Sequence, residues 1–121
     1  MGLDMYAFKT KDEIVADVDF DVEACEEFHR WRKHPNLHGW MKALYYAKGG
    51  AEAEFNLVNV ALNKTDLEQL EEAIICKTLP ATSGFFFGQS DGSEAEDDLE
   101  FIAKAREALN AGLRVFYRSW W

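Results

Sequence analysis

Cysteine, proline and basic residues are all in short supply in this chain, and each shortage excludes something. Cys25 and Cys76 are the two cysteines among 121 residues, and they form no CxxC pair. No disulfide framework is spelled out, and both thiols are expected to be free, reduced and buried on apolar stripes. No apolar run approaches the roughly 18 residues of a membrane span. The N-terminal stretch MGLDMYAF lacks a basic segment followed by an apolar one, so no secretory leader is expected and the reading is cytoplasmic. Thirteen Lys and Arg stand against 22 Asp and Glu, a formal charge of -9. Most of such a surface repels a long polyanion, which argues against nucleic acid as the partner, and for a basic protein partner or plain solubility. No nucleophile elbow, phosphate loop or HExxH is present.

What remains is an ordinary globular balance, 48% apolar and 29% charged, enough for one continuous core. A single α+β domain over 1-121 is expected, with three or four strands in a mixed or mainly antiparallel sheet and about four helices. Residues 3-8 alternate as a first strand, with Leu3, Met5 and Ala7 on one face and Asp4, Tyr6 and Phe8 on the other. Asp21, the acids after it and the cations Arg30, Arg32 and Lys33 suit the two ends of a helix, with Ala24, Cys25, Phe28 and Trp31 as its stripe. Pro35 stops that helix, and Asn36 is placed to cap a second one with Leu37, Trp40, Met41 and Leu44 on its apolar side. Phe55 to Leu62 reads as an interior strand. Thr65 to Glu68 reads as a capping box opening a helix with stripe Leu67, Leu70 and Ile74, and Ser93 to Glu96 as another. That last helix carries Leu99, Ile102, Ala103, Arg106 and Leu109 on one side. Residues 113-121 form a final strand.

Cys25 to Tyr46 concentrates the chemistry. It holds all three histidines, and Cys25, His29, His34 and His38 make up the four N and S donors of a tetrahedral zinc site. Their spacing is not that of a common zinc knuckle, Cys25 falls on the apolar stripe, and His34 serves equally as a helix cap. The expectation is therefore no cofactor, with zinc or another divalent ion as the alternative. The patch HRWRKH, residues 29-34, sets cations beside an aromatic ring and suits an acidic or phosphorylated partner. Asp4, in an apolar strand, is the carboxylate expected to be shielded, and with His29 and His38 it is the candidate for acid-base work. Phe85, Phe86 and Phe87, between Gly84 and Gly88, are too bulky for a phosphate cradle. They read as a packing anchor with at least one exposed ring, a surface for a partner or a weak homodimer.

MGLDMY, the WRKHPNLHGW segment, LPATSGFFFG and the terminal FYRSWW together resemble a family of small uncharacterised proteins of bacteria and their phages. That resemblance spans nearly the whole chain and implies no reaction. It marks Gly2 to Tyr6, then Trp31, Arg32, Lys33, His38 and Trp40, then Gly84 to Gly88, and Tyr117, Ser119 and Trp120 as distinctive. A phage origin implies an accessory factor in the host cytoplasm. The function read from the sequence is a small non-enzymatic binding protein with Trp31, Arg32, Lys33, His38, Trp40 and Phe85 to Phe87 as binding residues. The alternative is a metal-assisted hydrolase or nuclease built on His29, His34 and His38.

Overall fold

The computed structural model describes residues 2-84 and 88-121. Strand β1, Asp4–Thr10, lies at the middle of a four-stranded sheet, between β2, Glu26–Arg32, and β4, Arg114–Trp120, while β3, Val60–Leu62, closes the far side of β4. The order is β2-β1-β4-β3 and every pairing is antiparallel. Among the described residues three helices complete the α+β fold: α1, Pro35–Ala47, α2, Lys64–Ile75, and α3, Ala95–Asn110. The expected fold class holds, with one helix fewer than expected.

Strand alternation gives the sheet two faces. The inner face carries Met5, Ala7, Trp31, Val60, Leu62, Val115 and Tyr117, which join Leu37, Met41 and Tyr45 of α1, Leu67, Leu70 and Ile74 of α2, and Phe101, Ile102 and Ala105 of α3 in one core. On the outer face a smaller aromatic cluster forms, with Phe8 stacked on Phe116 and Phe20, from the 11–25 connection, edge-on to Phe116.

The missing helix is the segment before Pro35. Its acids and cations suit a helix dipole, but EEFHRWR also alternates, and pairing with β1 selects the extended form. The β1/β2 register slips between Ala7 and Phe8, and Phe28, which the register skips, stacks on Phe101 of α3. Such a bulge lets Phe28 and His29 both serve the interior. Without the helix there is no apolar stripe for Cys25, which is exposed, as is Cys76 just past α2.

Other boundaries shift for nameable reasons. From Phe55 to Leu62 only the last three residues are strand, because Leu57 takes a φ of 57° and donates its N–H to Ser119 O. This strand is an edge and not interior, although Asp17 O and Asp19 N bond its outer side. Helix α2 is capped two residues earlier than expected, by Asn63 with Asp66 as the reciprocal partner. Lys48 at the end of α1 ties that cap down, placing Nζ 2.6 Å from Asp66 Oδ2. Helix α3 has no side-chain cap, and its inward side is Asp98, Phe101, Ile102, Ala105 and Ala108, leaving Leu99 and Ala103 exposed. In α1 the N-cap is His34 and not Asn36, whose side chain instead accepts the Thr82 N–H at 3.1 Å. Gly39 makes room for that loop: a Cβ there would collide with Thr82 Oγ1.

Candidate functional site

Because β2 is a strand, the patch 29-34 is divided between two faces. His29 and Trp31 point inward and are buried, whereas Arg30 and Arg32 point outward. The antiparallel register then builds rows across the outer face. Arg32, Asp4 and Trp120 form one row, Arg30, Tyr6 and Arg118 the next, and Glu27, Phe8 and Phe116 the third. The third row is roofed by Phe20. The first two are open: Trp120 is 59% exposed, and the side chains of Arg30 and Arg32 are 62% and 58% exposed. Arg30 lies over the Tyr6 ring with Cζ 4.9 Å from its centre, a cation–π contact. Glu27, at 3.2 Å, raises the pKa of Arg30, and Asp4 meets Arg32 at 3.3 Å. Arg118 lines a shallow hollow with Asp19, Asp21 and Glu52. The cationic side of this face is therefore β2 and the exposed Lys33 that follows it.

On the other side of β2 the inward residues meet the acidic first turn of α3. His29 Nε2 lies 3.0 Å from Asp97 Oδ2, and Lys104 Nζ lies 3.4 Å from His29 Nδ1. Trp31 Nε1–H donates to Asp98 Oδ1 at 3.0 Å, while His34 Nε2 approaches Asp98 Oδ2 at 2.8 Å. A carboxylate only accepts, so His34 Nε2 carries a ring proton. At 2.7 Å from Nδ1 sits Ser90 Oγ, which also accepts the Asn36 N–H at 3.1 Å. This chain of contacts borders a cleft of about 350 Å3 between the start of α1, the end of α2 and the start of α3.

The expected site residues thus do not converge. Asp4 is half-exposed in its ion pair with Arg32, and among the described residues the buried carboxylates are Asp66 and Asp98. His38 is buried in α1 with Nδ1 2.7 Å from the Tyr117 hydroxyl. Burial, and secondarily Lys42, lowers its pKa to about 4, so it is neutral in the fold. Burial also pushes the Tyr117 phenol well above its ordinary range. Trp40 is half-buried against the core. Cys25 is exposed before β2, and His29, His34 and His38 each bond a different residue. Among the described residues no three His, Cys, Asp or Glu side chains are grouped to hold a metal. Phe85, Phe86 and Phe87 lie outside the described residues.

Asp98 and Ser90 are not singled out in the sequence, and Tyr6 and Trp120, though distinctive there, are not linked to the arginines. Tyr6 and Trp120 join the arginines only through strand register. Asp98 reads as one more acid at a helix start, and Ser90 as a loop residue. Compared with known proteins, the chain matches no family model, no curated protein and no solved structure.

Proposed function

We propose that this is a small binding protein that docks an acidic protein segment along β2 and across the open outer face of the sheet. The observation that carries the reading is the sorting of Arg30 and Arg32 to that face, beside exposed Trp120 and half-buried Tyr6, in a chain whose net charge is -9. The two edges of the sheet differ in the same direction. β3 is covered by backbone bonds from Asp17 and Asp19, whereas β2 is the terminal strand on the other side. An end strand whose C-terminal half exposes Arg30 and Arg32 and runs on to Lys33 suits an extended acidic segment, with backbone pairing for affinity and arginine–carboxylate bonds for selectivity. The overall negative charge disfavours a long nucleic acid at the same place. A phage accessory factor acting on a host protein fits this mode of binding.

Fluorescence anisotropy with a labelled peptide of alternating Glu and Tyr, beside a labelled thymidine oligomer of equal length, tests the proposal. The peptide is expected to bind, more weakly as salt rises, and R30E/R32E is expected to lose at least about tenfold in affinity. Tighter binding of the oligomer, or peptide binding indifferent to R30E/R32E, overturns the proposal.

A further inference from the structure

The cleft beside His34 contains an arrangement that a docking protein does not need. We propose that Ser90, His34 and Asp98 form a nucleophile, base and orienting carboxylate that hydrolyse small carboxylic esters. The polarity of the contacts is the one acyl transfer requires. Asp98, buried and fixed by the Trp31 indole, holds His34 Nε2–H, and in the neutral ring Nδ1 is then the acceptor for the Ser90 hydroxyl 2.7 Å away. The ring is used in the opposite sense to the common serine hydrolase arrangement, with Nδ1 and not Nε2 facing the serine, and the proton relay is chemically the same. Ser90 Oγ is held from the other side by the Asn36 N–H, so the nucleophile is anchored to the first turn of α1 although it belongs to a loop.

An anion position lies next to it. The amides of Asp91 and Gly92 donate to the two oxygens of Glu94 at 3.1 and 3.0 Å. The oxygen on Asp91 N–H is 3.8 Å from the same His34 Nδ1 that Ser90 touches. Two backbone donors, one from the residue after the nucleophile, thus each hold one oxygen of a carboxylate beside the base. In the resting protein Glu94 fills that position, and its withdrawal frees it for a substrate oxyanion. Ala73, Ile74, Leu79 and Ala95 line the cleft and suit a short acyl chain.

Ser90 Oγ bonds to the ester carbon as its proton passes to Nδ1, and the substrate oxygen takes the negative charge on the Asp91 and Gly92 amides. Collapse breaks the bond to the leaving alcohol, which takes the proton from Nδ1. Water then attacks the acyl-Ser90 carbon, gives its proton to Nδ1, and releases the carboxylic acid as the proton returns to Ser90. The sum is ester plus water giving acid plus alcohol.

A fluorophosphonate probe on the whole chain, followed by peptide mapping, tests this without altering any of the three residues. The expected result is one adduct per chain, at Ser90, forming about tenfold or more faster in Glu94→Ala, where the two amides are freed. The same variant is expected to speed phenolate release from p-nitrophenyl acetate. If Ser90 serves only to cap α1, neither the wild type nor Glu94→Ala is modified there. Absence of a Ser90 adduct in both proteins overturns the proposal, and so does an adduct whose rate ignores Glu94→Ala.

Discussion

At the scale of single residues, His38 is where pH acts on stability. Its folded pKa, about 4, lies below the ordinary 6.5 because burial disfavours the imidazolium. The unfolded chain therefore binds the proton more readily. The contribution of neutral His38 is complete above about pH 6.5 and is lost as pH falls toward 4, amounting to about 3 kcal/mol at the lower end. Denaturant titrations from pH 7.5 to 4 are expected to show this decline, and His38→Gln is expected to flatten it. The thiols give a second expectation. Cys25 and Cys76 are both exposed, so a thiol reagent should modify both in the native protein without denaturant. The opposite expectation places both thiols on apolar stripes; Cys25 loses its stripe with that helix, and Cys76 caps the end of α2 in solvent.

At the scale of elements, local periodicity was read well where one period dominated and badly where two competed. The strand from Asp4, its division into Met5 and Ala7 against Tyr6 and Phe8, the helix after Pro35 and the final strand were all legible. The EEFHRWR segment satisfies both a helical charge gradient and a strand alternation, and only pairing with β1 decides between them. Leu57 at positive φ and the Asn63 cap were hidden for a different reason, since they depend on contacts with Ser119 and Lys48, distant in sequence. The open face was legible only in part, because Arg30 and Arg32 are adjacent in the sequence but Tyr6 and Trp120 reach them through register. Two predictions belong at this scale. Lys48→Met leaves the buried Asp66 carboxylate without its cation, at a cost of about 3 kcal/mol in chemical denaturation. Gly39→Ala, which in an open helix adds up to about 1 kcal/mol, is expected to destabilise here. The new methyl collides with Thr82, and limited proteolysis near residue 82 should quicken.

At the scale of the whole molecule, the sheet separates two roles that the sequence interleaves. His29 and Trp31, with His34 just beyond the strand, bind β2 and α1 to the acidic turn of α3. Arg30 and Arg32, alternating with them, are left to the outer face with Tyr6 and Trp120. The helices all serve one core on the inner face, so the first two outer rows remain available in a chain whose other charges are predominantly acidic. Substitutions at Trp31 are expected to act through stability, and substitutions at Arg30 and Arg32 through binding. The most direct measurement is a hydrogen-exchange footprint of the acidic peptide on the native protein. The account predicts added protection in β2, with the matching amides of R30E/R32E unchanged by the peptide. Protection confined to the cleft at residues 90-98, or none in β2, would contradict it.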